Sequence, residues 1–310
     1  MFKTQICDLI NIEYPIFQGG MAWISDAKLV SAVSEAGGLG IIAAGNDSGD
    51  YLREQIYNVR SLTSKPFGVN VMLMSPYIEE VVAVLAEEHV DVIVTGAGNP
   101  SKYMKLWNNS KIIPVVSSTA LAKMVARNGA AAIIAEGSEC GGHIGELSTM
   151  TLVPQVCDAV GIPVIAAGGI GDGRGIAAAF MLGAVGVQIG TRFLLAKECQ
   201  VHPKYKELII KARDIDTIVT GKRLGHPVRA LKSAFTRKFF SSEYKSDISN
   251  EELDALGSGS LKLAAVNGDI LNGCFMAGQI AGMLVKEQTA KEIITEMSQE
   301  AKEVIDTWVK

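Results

Sequence analysis

The sequence predicts a (β/α)8 barrel with a smaller C-terminal cap, and three observations lead there. Short apolar runs rich in valine and isoleucine recur at intervals of ~20 to 30 residues. Amphipathic or alanine-rich stretches separate them, and glycine or a polar residue follows nearly every run. Strands buried on both faces, each leading into a helix, close into a barrel more economically than they spread into an open sheet. The barrel is expected over 1–196, and 197–310 read as a cap or substrate region with C-terminal helices free to pack on the barrel.

The first strand, 14–18, ends in Gln18-Gly19-Gly20-Met21 and leads to a helix at 26–36 that stops at Gly37. Strand 39–43 passes through Ala44-Gly45-Asn46 to a helix at 49–61. Strand 67–71 carries Asn70 near its end, before a helix at 77–88. Strand 92–95 closes on Thr95-Gly96-Ala97-Gly98, with a helix at 101–107. Strand 112–116 leads to a helix at 119–128 bounded by Gly129, and strand 131–136 ends at Glu136-Gly137 before a helix at 151–160 and Gly161. Strand 163–167 meets Gly168-Gly169, followed by a helix at 174–182 and Gly183; strand 186–189 meets Gly190-Thr191. Glycine after a helix supplies the left-handed C-cap, and glycine after a barrel strand lets backbone approach a ligand closely. From about 197 to 260 the chain turns polar and charge-rich, and from Leu261 long helical patterns are expected up to Trp308.

Composition narrows the function. With 48% hydrophobic and 20% charged residues the chain can bury a large core, which excludes a disordered or collagen-like protein. Lysine and arginine total 29 against 33 acids, a net charge of −4, so no positive field exists to gather nucleic acid. The first residues lack an uninterrupted apolar core with a cleavage site, and no later stretch reaches ~18 apolar residues, so a cytoplasmic protein without membrane insertion is expected. Cys7, Cys140, Cys157, Cys199 and Cys274 are odd in number and scattered, which suits a reducing compartment and no structural metal.

Three loops carry the chemistry. VIAAGGIGDGRG and GVQIGTRF follow the seventh and eighth strands, where barrels bind phosphate through backbone N–H groups, so a phosphorylated cofactor is the direct inference. Gly173 to Ala178 also satisfy G-x-G-x-x-A, but in the seventh of eight units and with no acidic residue after the next strand. That match reads as a barrel loop rather than a dinucleotide site. EGSECGGHIGE at 136–146 places His143 on a flexible glycine loop after the sixth strand, as a proton donor or acceptor. Cys140 in the same loop reads as a small filler before it reads as a nucleophile. Lys222, Arg223, Arg229, Lys232, Arg237 and Lys238 form a run with no acid between Asp216 and Glu243, suited to phosphates, an acidic partner or a solvated face.

These residues resemble the flavin-dependent enoyl-acyl carrier protein reductases of bacterial type II fatty acid synthesis, within the nitronate monooxygenase (2-nitropropane dioxygenase) superfamily. The resemblance spans nearly the whole chain: YPIFQGGMAW at 14–23, AGGLGIIAAGN at 36–46, KPFGVNVML at 65–73, TGAGNPSKYM at 95–104, EGSECGGHIG at 136–145, PVIAAGGIGDG at 163–173, VQIGTRF at 187–193, KARDIDT at 211–217 and MAGQIAG at 276–282. Cys140 departs from it, standing where the family carries alanine. The resemblance implies one non-covalent FMN, NADH or NADPH as electron donor, and an enoyl thioester on acyl carrier protein as substrate. It implies that Gln18, Gly19, Gly20, Met21, Asn70 and Gln188 line the flavin, and that Gly168, Gly169, Gly190 and Thr191 hold its phosphate. Gly45, Thr95, Glu136, Gly171, Met276 and Gly278 complete the expected cofactor shell, with His143 catalytic. A homodimer and a response to monovalent cations are implied as well. Nitronate monooxygenase, and a flavin-binding protein without turnover, are the alternatives; the full-length match and Ile144 after the histidine favour the reductase.

Overall fold

The computed structural model describes residues 3–45 and 47–308. Eight parallel strands form one sheet: β1 (Ile16–Gln18), β2 (Gly40–Ala43), β3 (Phe67–Met72), β4 (Val92–Gly96), β5 (Lys111–Val116), β6 (Ile133–Glu136), β8 (Val164–Ala167) and β9 (Gly186–Ile189), with the two-residue β7 (Gly142–His143) in the loop after β6. Their order is β1-β9-β8-β6-β5-β4-β3-β2. A parallel bridge between Phe17 and Leu39 joins β1 to the start of β2, where the Gln18 N–H donates to Leu39 O and the Leu39 N–H to Ile16 O, both at 2.9 Å. The sheet is thereby a closed (β/α)8 barrel, as the alternation of elements predicts.

Side chains alternate across each strand, and the two sets pack differently. Phe17, Ile41, Val92, Val94, Ile113, Ile134, Ile165 and Ala167 form the barrel interior. Ile16, Ile42, Val69, Val71, Ile93, Ile112, Val116, Ile133, Ala135, Val187 and Ile189 pack outward in the larger cluster with the helices. A short helix not anticipated from the sequence, α1 (Gln5–Ile10), seats Ile6, Cys7 and Ile10 in the interior cluster and closes the amino-terminal end of the barrel. Each such buried aliphatic side chain contributes roughly 2 kcal/mol relative to exposure.

The outer layer consists of α2 (Ala27–Glu35), α3 (Gly49–Leu62), α4 (Ile78–Glu88), α5 (Thr119–Arg127), α6 (Thr149–Ala159), α7 (Gly173–Met181) and the single turn α8 (Thr191–Leu194). Asp26, Ser48, Ser118 and Asp172 cap α2, α3, α5 and α7, each side chain accepting a backbone N–H of the first turn. The helix expected at 101–107 is instead two 3-10 turns, Pro100–Lys102 and Met104–Leu106. Pro100 starts the segment after the Asn99 cap, and Trp107 turns inward with its Nε1–H donating to Val82 O at 3.4 Å. Too few residues remain between them to propagate an α-helix.

After α9 (Pro203–Ile210) the polar segment folds as β10 (Thr217–Thr220), β11 (Val228–Leu231), α10 (Ala234–Glu243) and α11 (Asn250–Gly257). β10 and β11 are antiparallel, and β11 pairs in turn with β7 of the barrel loop. The long helical patterns expected from Leu261 reduce to α12 (Ser260–Lys262), a π turn at Leu263–Asn267, a 3-10 turn at Gln279–Met283 and one long helix, α13 (Ala290–Trp308). Gly268, in the left-handed region at φ +64°, and Gly273, whose would-be Cβ lies 2.4 Å from Asp269 O, break the pattern between them. α13 packs back on the barrel through Ile293, Ile294, Met297 and Ala301, with Gly173 of α7 against Ala301. Among the described residues no helix is long and apolar enough to cross a membrane, and no group of three or more His, Cys, Asp or Glu could hold a metal ion.

Candidate active site

Strand parity sorts the expected cofactor residues at the carboxyl end of the barrel. Asn70, Glu136 and Gln188 alternate with outward-packed neighbours and therefore face the barrel axis. Gln18 and Thr95 share their faces with Ile16 and Ile93 and look toward the helices. The Gln18 amide is spent there: Nε2 donates to Ser25 Oγ at 2.8 Å and to Gly19 O, and Oε1 accepts the Ile41 N–H at 3.2 Å. It shapes the Gly19–Met21 turn from behind, while Ser25 Oγ accepts the Met21 N–H at 2.8 Å.

Glycines bring the turns together over the axis. A Cβ on Gly20 would lie 2.4 Å from Asn70 Cβ, one on Gly19 3.3 Å from Gln188 Cγ, and one on Gly190 3.8 Å from Met21 Sδ. Gly168 and Gly169 have φ of +93° and +72°, and their would-be Cβ atoms meet Gly137 O and the Glu139 side chain at 2.6 and 3.2 Å. Gly45, at φ +57°, lies beside Ala44, whose N–H donates to Asn70 O at 3.0 Å. From the C-terminal segment, Gly278 packs on Glu139 O and donates its N–H to Thr191 Oγ1 at 2.9 Å, and Met276 lies against Gly142. Gly171 stands apart, its would-be Cβ 2.3 Å from Ile280 Cγ1, so it serves packing. Asn46, expected after the second strand, lies outside the described residues.

Helix termini discriminate among the phosphate candidates. Glu139 accepts the Thr149 N–H through both carboxylate oxygens, at 3.0 and 2.8 Å, and closes the start of α6. Asp172 caps α7, and Glu300 of α13 accepts the Gly173 N–H at 2.7 Å, so the G-x-G-x-x-A stretch opens onto carboxylates and not onto a phosphate. α8, by contrast, starts at Gly190 with no side-chain cap. Gln188 Oε1 and Thr95 Oγ1 are buried without a hydrogen-bond partner; the glutamine oxygen lies on the axis-facing side at the barrel mouth. A buried unpaired oxygen costs about 1–3 kcal/mol, which a ligand donor would recover.

The histidine loop is built partly by the cap. His143 pairs with Val228 and Gly142 with Arg229, and the Ile144 N–H donates to Pro227 O at 3.0 Å. Arg229 reinforces this ribbon, with Nε donating to Ser138 O at 3.0 Å and Nη1 to Thr217 Oγ1 at 3.1 Å. On the barrel side Gly145 seats on Ser117, its would-be Cβ 2.5 Å from Ser117 Cβ. His143 is exposed, yet crowded by loop atoms. That desolvation, joined by the charge of His226, holds its pKa below the ordinary imidazole value. Burial pushes the Glu136 carboxyl up to about 7 against an opposing hydrogen bond from Cys140. The Cys140 thiol is driven up by burial and by Glu136, and lies 3.6 Å from His143 O. It is a protonated filler rather than a nucleophile.

The sequence places His226 in the cap, away from any strand end, and so sets it aside. The structure brings it near His143, on which its charge acts, because Val228, two residues on, pairs with His143. Ser117, at the end of the fifth apolar run, was legible as a polar residue after a strand. The structure also divides the basic run. Arg223 is consumed by Asn250 Oδ1 at 2.9 Å and by the carbonyls of Lys245 and Ile248 at 3.0 and 2.6 Å, as Arg229 is by the ribbon.

Comparison with known proteins gives one consistent family. The nitronate monooxygenase family profile matches residues 3–81 and 75–300. A Staphylococcus aureus (strain MRSA252) protein described as "Probable nitronate monooxygenase" is 36% identical over 313 residues, covering 86% of this chain and 88% of that protein. A hydroxy-methyl-oxo-octahydro-indene-carboxyl-CoA dehydrogenase of Mycobacterium tuberculosis (strain ATCC 25618 / H37Rv) is 40% identical over 244 residues, covering 77% of this chain and 69% of that protein. Among solved structures, FabK from Thermotoga maritima is 50% identical with a TM-score of 0.97, covering 100% of this chain and 99% of that chain. The closed barrel, its glycine-lined mouth and these full-length matches place the chain in the nitronate monooxygenase family, as a flavin-dependent oxidoreductase.

Proposed function

We propose that this chain is an FMN-dependent enoyl-acyl carrier protein reductase that oxidises NADH or NADPH. The observation that carries the reading is the 50% identity to FabK across 100% of the chain. The mouth fits a flavin: Gln188 Oε1 is a buried acceptor on the axis-facing side without a partner, and glycines at 19, 20, 168, 169 and 190 line the turns with backbone and no side chain. Asn70, Gln188 and the backbone of Gly19 to Met21 would hold the ring and ribityl chain. Gly168, Gly169, Gly190 and Thr191 would hold the phosphate at the one uncapped helix start among α6, α7 and α8. When bound, the flavin supplies hydride transfer from the nicotinamide to the β-carbon of the enoyl thioester.

The chain's own groups orient that thioester. Desolvation and the charge of His226 favour the neutral form of His143, which can donate one N–H to the thioester carbonyl. Met276 and Gly278 bring the C-terminal segment against the histidine loop and help exclude water. The cytoplasm, a homodimer and a response to monovalent cations belong to the same proposal. Nitronate oxidation is the second reading, favoured by the curated relatives of that name. Steady-state assays separate the two. NAD(P)H oxidation that depends on a crotonyl thioester is expected; oxygen uptake that depends on a nitronate, with no thioester-dependent oxidation, would overturn the reductase.

A further inference from the structure

The cations that remain after Arg223 and Arg229 are removed from the basic run are not scattered. Lys222, Lys232, Arg237, Lys238 and Lys245 are exposed, and among the described residues none forms an ion pair. The single acid between 217 and 245, Glu243, is buried and accepts the N–H groups of Gly221 and Arg223 at 3.1 and 2.7 Å, so it neutralises none of them. In a chain of net charge −4 this is a local reversal of sign.

The same helix carries a second, independent feature. α10 buries Phe235, Thr236, Phe239, Ser242 and Glu243. Its opposite face presents Arg237, Phe240, Ser241 and Tyr244, spaced i, i+3, i+4, i+7. Phe240 and Tyr244 are 39% and 68% exposed, and their ring centroids lie 5.0 Å apart with the planes tilted by 59°. An exposed aromatic pair on a helix that also carries Arg237 and Lys238, with Lys232 and Lys245 just beyond its ends, has the composition of a protein-recognition patch, apolar anchors with charge nearby. The patch is also continuous with the site: β11, whose Val228 faces His143, runs directly into α10, and Lys232 lies about 13 Å along the chain from Val228.

We propose that the exposed face of α10 docks the acidic carrier protein that delivers the thioester. The proposal rests on the reductase reading and adds to it where the partner sits. Carboxylates of a partner helix meet Lys232, Arg237 and Lys238, an apolar side chain between them meets Phe240 and Tyr244, and the acyl arm is released beside the histidine ribbon.

The test compares one enoyl group on two supports, acyl carrier protein and pantetheine, in the flavin-loaded enzyme. Arg237→Glu with Lys238→Glu should raise KM for the carrier-borne substrate roughly tenfold or more, leave kcat unchanged, and leave the pantetheine substrate within about twofold. Lys232→Glu, outside the helix, should act in the same direction and guards against a folding defect in α10. Equal effects on both substrates, or none on either, would overturn the proposal. So would a smaller assembly in sedimentation with unchanged carrier kinetics, which would assign the face to a second copy of the chain. If the unaltered enzyme reduces neither substrate, the reductase reading itself fails and the docking proposal falls with it.

Discussion

Replacing Glu136 by glutamine should stabilise the flavin-free protein in a pH-dependent way. In the fold this carboxyl keeps its proton up to about 7, whereas its ordinary value is 4.5, and burial is the cause. Below about 4.5 the folded and unfolded chains both hold the proton, and the carboxyl contributes no pH-dependent difference. As pH rises toward 7 the unfolded chain ionises freely and the folded chain does not, so unfolding becomes progressively easier. Above 7 both forms are ionised and the penalty is constant. At roughly 1.4 kcal/mol per pH unit the gap amounts to about 3 kcal/mol. Glu136 is only half-buried, and solvent screening reduces that toward about 2 kcal/mol. The glutamine variant keeps the shape without the titration, so the difference in unfolding free energy between the two apoproteins, from urea denaturation, should grow by that amount between pH 4 and pH 8. A difference that stays constant across this range would show that Glu136 ionises in the fold as it does in the free chain, and the desolvation argument for the barrel mouth would be refuted.

His143→Ala should retain flavin and its reduction by nucleotide, and lose about 10² to 10⁴ in the enoyl half-reaction, as stopped-flow absorbance can follow; equal slowing of both half-reactions would make the residue architectural. His226→Asn removes the second of the two influences that lower the His143 pKa, so the imidazole should titrate higher by NMR; an unmoved titration would separate the two rings. Gly20→Ala places a methyl against Asn70 and should lower the flavin-to-protein absorbance ratio. Gly171→Ala meets Ile280 and should lower Tm with little change in that ratio.

The barrel was legible because its strands are apolar on both faces, so runs such as VIVT and IIPVV stand out without reference to any partner. β10 and β11 were not, since TIVT and VRAL lie among lysines and arginines and are only partly buried, held by pairing with each other and with β7. The glycine turns announced the mouth, but motif membership could not say which face of a strand a side chain occupies. Gln18 and Asn70 read alike as polar residues at strand ends. One braces the first turn from the helix side and the other looks onto the axis. His226 is the sharpest case, because only the register of an antiparallel pair between segments far apart in sequence brings it to His143.

That register has a mechanical consequence. β7 is the third strand of the cap sheet and at the same time the carrier of His143. Any motion that lifts β10 and β11 to widen the entrance must pull the imidazole with them or break the ribbon bonds at Pro227 and Arg229. On the reductase reading, the cap sheet therefore sets two things at once: the placement of the imidazole and the height of the cap above the barrel.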